Sequence, residues 1–199
     1  MHISEGVLNA PVLITGIALT AAGVAVGIKK MDTESMPKIA VLTAAFFVAS
    51  LIHIPVGFAS VHLVLNGLVG ILFGWAAFPA ILVALALQAM LFQFGGITTL
   101  GINTFNMAFP AVMCFFLFRR MIIGGGRTKA AIAGFLCGVS AIALSAVLVA
   151  LSLTFTDRAF FVPAMAILAA HVPVMIIEGI VTAFCIDFLK KMKSELVEV

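Results

Sequence analysis

Charged residues are scarce in this 199-residue sequence. Only 10% of the residues are Asp, Glu, Lys or Arg, whereas 64% are hydrophobic. Average usage is about 25% charged and about 45–50% apolar, so a soluble domain of this size is excluded. The basic residues lie in short clusters between apolar runs, which argues against a nucleic-acid-binding patch. The composition predicts an integral membrane protein, organised as a single transmembrane domain over residues 1–199.

Cysteines are few, and the motifs of several enzyme classes are missing. Cys114, Cys137 and Cys185 are widely spaced and form no C-x-x-C pair, so neither a zinc ribbon nor a disulfide framework is indicated. The H-E-x-x-H motif of a metalloprotease does not occur. The phosphate-binding motif G-x-x-x-x-G-K-[ST] is also missing. We therefore do not expect an enzyme, and any ATP-driven process would need separate ATPase subunits.

The first residues lack the features of a cleaved signal peptide. No basic segment and no A-x-A site precede the first apolar run, so we expect Met1 and His2 to be retained. The free amine, the His2 amide nitrogen and the His2 imidazole Nδ1 can bind one metal in a plane, closing two chelate rings. Flat nitrogen coordination suits Ni(II) and Cu(II). An imidazole from His53 or His62 could complete the square, whereas the alternative is a frayed terminus.

Seven apolar runs predict an all-α bundle of about seven transmembrane helices. A span needs roughly 20 apolar residues, or fewer where a helix is short. Pro55 and Gly57 break the chain after the second run, and a charge-free loop follows. The runs are Val7–Ile28, Ile39–Ile52, His62–Ala77, Ala80–Phe94, Ile102–Phe118, Ala130–Phe155 and Phe161–Leu189.

The basic residues predict the orientation of this bundle, because cytoplasmic loops are enriched in Lys and Arg. In a seven-span topology, ten of the eleven basic residues fall on one side of the membrane, and only Arg158 falls on the other. The N-terminus is therefore predicted outside, on the side of the His53–His62 loop, and the C-terminus in the cytoplasm. The residues on the cytoplasmic side are Lys29, Lys30, Lys38, Arg119, Arg120, Arg127, Lys129, Lys190, Lys191 and Lys193.

Three short motifs occur in order along the chain. The first motif is MHISEG at residues 1–6. The second joins SVHL at 60–63 to NGLVGILFG at 66–74. The third joins QAMLF at 88–92 to GGITTLGINTFNMA at 95–108. Together they resemble the CbiM/NikM family, the substrate-binding membrane components of cobalt and nickel energy-coupling-factor (ECF) transporters. The resemblance covers the first five runs, whereas the last two agree only in hydropathy.

The resemblance implies a metal site and its surroundings. The ligands would be the Met1 amine, the His2 amide nitrogen and imidazole, and the His62 imidazole. A further set would lie around the site or at the pore mouth: His53, Glu5, Asn103 and Asn106. Small residues on the second run would contact a coupling subunit: Ala40, Ala44, Ala45 and Ala49. Simple packing within the bundle explains these alanines as well.

The function implied is high-affinity capture and import of nickel or cobalt at the cell membrane. The expected partners are a transmembrane coupling subunit and ATPase subunits, with or without a small accessory membrane subunit, and no nucleic acid. No cofactor is expected besides the transported metal, and the residues do not decide between the two metals. The alternatives are a membrane haem or metal electron carrier and a passive metal channel.

Other polar residues in the apolar runs have two interpretations. His171 and Glu178 are seven residues apart and share one helix face. They could form a second metal or proton site. Alternatively, His171 is a hydrogen-bonding group of the interior and Glu178 pairs with a basic loop residue. Gln88 fits either a cross-helix hydrogen bond or a functional role.

Overall fold

The computed structural model describes residues 2–51, 53–56 and 59–192, with the backbone alone for 53–56 and 59–62. This part of the chain is a helical bundle, as predicted. A two-stranded antiparallel hairpin and two 3-10 turns, at Gly74–Ala76 and Arg158–Phe160, interrupt the helices. The elements are α1 (Ala10–Lys30), α2 (Met36–Ala49), β1 (His53–Val56), β2 (Ala59–His62), α3 (Asn66–Phe73), α4 (Ala77–Phe92), α5 (Leu100–Gly124), α6 (Arg127–Thr156) and α7 (Phe161–Met192).

The hairpin replaces the loop that the sequence predicts between the second and third runs. Pro55 removes a backbone donor and Gly57 disfavours a helix, whereas the β-branched residues nearby favour extended structure. The register pairs His53 with His62 and Ile54 with Val61. The third apolar run therefore begins as a strand, and only eight of its residues form helix α3.

The chain reverses direction between α3 and α4. Gly74 ends α3 with φ +54°, a left-handed conformation that glycine adopts without steric cost. Gly70 lies against Ala111 and Gly74 against Phe115, so α3 runs parallel to α5. Phe78, at the start of α4, lies against Gly23 in the second half of α1. Helix α4 then returns to the end of the bundle where α1 begins.

Length and apolar character do not confirm seven separate spans. Within the described residues, four helices are long and apolar enough to cross a membrane: α1, α5, α6 and α7. A fifth apolar segment of sufficient length joins α3 to α4 but contains the reversal at Gly74. Helix α2 has 14 residues and is too short by this measure. The chain is a multi-pass membrane protein, but its span number and orientation remain predictions.

Basic side chains gather at one end of the bundle. Lys190 Nζ donates to the carbonyls of Ile122 (2.6 Å), Ile123 (3.1 Å) and Gly125 (2.6 Å). At the end of α1, Lys30 Nζ lies 5.4 Å from the centre of the Trp75 ring. Because α1 ends here, the N-terminal segment before Ala10 lies at the opposite end.

Glycines bring the helices into close contact at two seams. A Cβ on Gly16 of α1 would lie 2.5 Å from the Cβ of Ile102 on α5. A Cβ on Gly138 of α6 would lie 2.6 Å from the Glu178 carbonyl oxygen on α7. Since real Cβ atoms do not approach so closely, the backbones at both seams need glycine. The α1–α5 seam supports the end of the bundle where His2 lies.

Candidate metal-binding site

His2 lies against the C-terminal part of α4. Its Nε2 is 2.8 Å from Oε1 of Gln88, which is only 1% exposed. The Gln88 amide nitrogen donates in turn to Ser50 Oγ at the end of α2. The ring of Phe94 lies beside the imidazole, with 6.2 Å between ring centres. His2 is thus half-buried in the bundle and is not a frayed end.

Ile3 is held by the side chain of Asn103 at the start of α5. The Ile3 amide donates to Asn103 Oδ1, and Asn103 Nδ2 donates to the Ile3 carbonyl, each at 3.0 Å. Asn103 Nδ2 also donates to Thr99 Oγ1 at 3.2 Å. The Ile3 side chain is 5% exposed and packs with Leu8 in an apolar cluster. Both the backbone and the side chain of residue 3 therefore fix the N-terminal segment.

Glu5 joins the N-terminal segment to the connection between α4 and α5. Its carboxylate accepts from the Thr98 amide at 3.0 Å, and this hydrogen bond lowers the pKa of Glu5. Gly96 makes room for the contact, since a Cβ there would lie 2.0 Å from Glu5 Cγ. The family resemblance implies that Glu5 lies around the metal site. The contact that the structure gives its carboxylate is with the loop instead.

Burial controls the charge of the His2 imidazole. Its pKa is lowered from 6.5 to about 4, chiefly by desolvation and also by the positive charge of the chain terminus, while the hydrogen bond with Gln88 opposes the change. The imidazole is therefore neutral at pH 7. A neutral imidazole is the form that binds metals.

The remaining predicted ligands fall outside the described residues. Met1 is one of them, and so are the side chains of His53 and His62. The backbone register places these two histidines directly opposite each other in the hairpin. It does not select one of them as the ligand.

Asn106 does not share the role of Asn103. Its side chain is 1% exposed, and its amide nitrogen donates to Ser152 Oγ on α6 at 3.3 Å. One helical turn from Asn103, it links two helices of the interior. Within the described residues, its amide is hydrogen-bonded to α6 and not to the N-terminal segment.

The alanines of α2 divide between two grooves. Ala40 and Ala44 are exposed in the groove between α2 and α4. Exposed Ala45 and half-buried Ala49 line a second groove, between α2 and α3. The two small-residue pairs therefore do not form one continuous stripe. The structure contains no partner that would test the expected coupling contact.

Glu178 contacts the hairpin connection and not a basic loop residue. Its side chain is 1% exposed and accepts from the amides of Val64 and Leu65, with the Leu65 nitrogen 3.1 Å from Oε1 and 3.0 Å from Oε2. His171 bonds through Nδ1 to the Ile167 carbonyl of its own helix, at 2.7 Å. Among the described residues, no three His, Cys, Asp or Glu side chains meet as a metal site.

Comparison with known proteins identifies the family of this chain. Residues 2–196 match the family model of CbiM, described as the cobalt uptake substrate-specific transmembrane region. The chain belongs to the CbiM family. A relative from Haemophilus influenzae, named for metal transport, is 41% identical over 207 residues, covering 98% of this chain and 96% of that protein.

Two further matches extend the CbiM assignment. The fused nickel transport protein NikMN of Rhodobacter capsulatus is 32% identical over 223 residues, covering 98% of this chain but 63% of that protein. The crystal structure of a transition metal transporter superposes with a TM-score of 0.75 at 28% identity, covering 98% of this chain and 95% of the other. The CbiM-family fold therefore extends over nearly the whole chain.

Proposed function

We propose that this chain captures nickel or cobalt outside the cell and imports it as the substrate-binding component of an ATP-driven ECF transporter. Four nitrogens bind the metal: the Met1 amine, the His2 amide nitrogen, His2 Nδ1 and the His62 imidazole. The observation that carries the proposal is the docking of residues 2 and 3 on Gln88 and Asn103. A docked terminus holds its nitrogens in place, whereas a frayed terminus would have to be ordered by the metal.

The chemistry of the donor set favours nickel over harder ions. Amine, amide and imidazole nitrogens lie in one plane when they chelate a single ion, and flat nitrogen coordination suits Ni(II). Binding must release protons, because an amine and an amide coordinate only after losing them. Affinity for the metal therefore falls as the medium becomes acidic.

The hairpin would deliver the fourth nitrogen. His53 and His62 are opposed in the β1–β2 register, and opposed residues have Cα atoms about 4.5–5.5 Å apart. We assign the ligand to His62, since the SVHL motif carries the family resemblance. His53 is the alternative, and single alanine substitutions at the two positions separate them.

The energy for import would come from partner subunits. This sequence has no phosphate-binding motif for ATP. The Rhodobacter relative is a fusion that extends beyond the region aligned with this chain, which is consistent with work alongside other transport components. The exposed face of α2 carrying Ala40 and Ala44 is our candidate contact for a coupling subunit, because small residues allow close helix packing.

The test is metal analysis of the purified protein after exposure to equal nickel and cobalt. The variants are His2→Ala, His53→Ala and His62→Ala, with His171→Ala as the control. We expect tightly bound metal in the parent and in His171→Ala. His2→Ala removes the imidazole nitrogen and the chelate ring that it closes with the amide, and should release nearly all of the metal.

The visible spectrum of the nickel complex gives a second readout. Loss of one imidazole changes a four-nitrogen plane to three nitrogens and water, so His62→Ala should shift the band to longer wavelength. The same shift in His53→Ala alone would move the assignment to that residue. A parent protein that binds neither metal, or a His2→Ala variant that binds as tightly as the parent, would refute the proposed function.

A further inference from the structure

Three hydrogen bonds connect the backbone of α2 to the imidazole of His2. Ser50 Oγ donates to the Phe47 carbonyl at 2.6 Å. A hydroxyl has only one proton, so the same oxygen must act as the acceptor in its contact with Gln88. The group of Gln88 that faces Ser50 is therefore the amide nitrogen.

This contact fixes the orientation of the Gln88 amide. With its nitrogen on Ser50, its oxygen Oε1 faces His2 Nε2 at 2.8 Å. An amide oxygen accepts but cannot donate, so Nε2 of His2 must carry the proton. A neutral imidazole has a single N–H group. The proton position on Nε2 therefore leaves Nδ1 unprotonated.

We infer that Gln88 and Ser50 are positioning residues that set the tautomer of His2. The inferred role in metal binding rests on the proposed function, because Nδ1 is the nitrogen that closes a chelate ring with the His2 amide. The opposite tautomer would have to move its proton before it could bind metal. Gln88 and Ser50 are 1% and 4% exposed, so water is poorly placed to replace either partner.

The tautomer can be measured without any metal. Histidine labelled with ¹⁵N is incorporated into the protein in lipid nanodiscs at pH 7, and His2→Ala identifies the His2 signals. A nitrogen that bears a proton and one that does not have well-separated shifts. We expect the proton on Nε2 in the parent, and a mixture of both tautomers in Gln88→Met, which keeps the side-chain length but removes the acceptor.

Two further variants separate orientation from simple packing. Ser50→Ala keeps Gln88 but removes the group that orients its amide, so a mixture is again expected, and Ser50→Thr restores the hydroxyl and the parent tautomer. Gln93→Met is the matched control, since Gln93 is exposed just beyond the end of α4. If Gln88→Met fails to fold, the Ser50 pair still decides the question. A parent with its proton on Nδ1, or a Ser50→Ala variant with the parent tautomer, would overturn the inference.

Nickel titration of the same variants connects the tautomer to function. Substitution of residues that support a metal ligand typically lowers affinity by about 10- to 100-fold, and we expect that loss in Gln88→Met. Parent affinity in Gln88→Met would overturn the role in binding. A parent that shows the expected tautomer but binds no nickel would leave the tautomer inference intact and refute the proposed function alone.

Discussion

Asn103 and Ile3 are joined by two hydrogen bonds, one in each direction, as two residues of neighbouring strands would be. The Asn103 side chain takes the part of a second backbone, accepting from the Ile3 amide and donating to its carbonyl, each at 3.0 Å. The Ile3 amide and carbonyl also leave only one possible orientation of the Asn103 amide group. The N-terminal segment is therefore fixed in register, and His2 lies one residue before the fixed point.

A fixed register predicts different effects for two insertions of a single alanine. Placed between Met1 and His2, the alanine leaves His2 on Gln88, and the amine, two amide nitrogens and His2 Nδ1 can still enclose a nickel ion in one plane. Placed between His2 and Ile3, it moves His2 away from Gln88. The first variant should keep both nickel and the parent tautomer, whereas the second should lose both. Metal analysis and ¹⁵N spectra of the two variants provide the check. A changed tautomer after the first insertion would show that the contact with Asn103 does not fix the position of His2.

Removal of the Asn103 amide should release the N-terminal segment. Asn103→Leu leaves the amide and carbonyl of Ile3 without their partner, and we expect a loss of roughly 1–3 kcal/mol in docking. Hydrogen exchange of the amides of residues 3–8 should become faster, and nickel affinity should fall by about tenfold.

Asn106→Leu is the matched control for that substitution. Its amide donates to Ser152 and lies one turn further along α5. We expect Asn106→Leu to destabilise the bundle while leaving hydrogen exchange at residues 3–8 unchanged. Equal rates of hydrogen exchange at residues 3–8 in the two variants would mean that Asn103 does not specifically stabilise the N-terminal segment.

The docked terminus should weaken in acid even without metal. The pKa of His2 is about 4 in the folded protein and 6.5 as a reference, so folding favours the neutral imidazole. The docked state binds fewer protons than the released state, and its stability is complete above pH 6.5. It should then decline as the pH falls from 6.5 towards 4. Exchange of the Ile3 amide across this range measures the decline, and His2→Ala should remove the dependence on this group.

Substitution of Glu178 should loosen the chain after the hairpin. Its carboxylate accepts from the amides of Val64 and Leu65, and Leu65 is held at φ 51°, which is uncommon for a residue with a side chain. Glu178→Ala leaves both amides unsatisfied at a cost of about 1–3 kcal/mol each. Thermal unfolding in detergent should detect the loss.

Thr182→Val is the control for Glu178, because Thr182 is fully buried one turn away on α7 and its hydroxyl has no hydrogen-bond partner within the described residues. We expect little change in its stability. A Glu178→Ala variant as stable as Thr182→Val would show that the carboxylate does not hold the hairpin connection.

The sequence predicted the membrane character and most helix positions, because long apolar runs bounded by basic clusters are typical of transmembrane helices. It did not predict the hairpin. The third run is apolar from His62 to Ala77, and hydropathy alone does not show that its first residue is the end of a strand. Hydropathy also does not show that the chain reverses direction at Gly74. Prolines and glycines signalled a break at residues 55–57 but not what replaced the helix.

The N-terminal motif predicts which residues form the candidate site, but it does not predict their tertiary contacts. The chelate proposed for His2 rests on the place of this residue in the chain. The partners of Gln88 do not, since Ser50 and His2 are far from it in sequence and on different elements. One interpretation of the sequence paired Glu178 with a basic loop residue. A buried carboxylate can instead accept hydrogen bonds from backbone amides, and such contacts cannot be predicted from the residue types.

The close seam between α6 and α7 has a mechanical consequence. Gly138 of α6 lies against the Glu178 carbonyl of α7. Gly179 of α7 lies against the side chains of Phe135 and Val139 on α6, so movement of one helix would displace the other. The Glu178 carboxylate, on the same part of α7, accepts hydrogen bonds from the segment that follows the hairpin. Movement of α7 would therefore also displace the segment that follows His62 in the sequence.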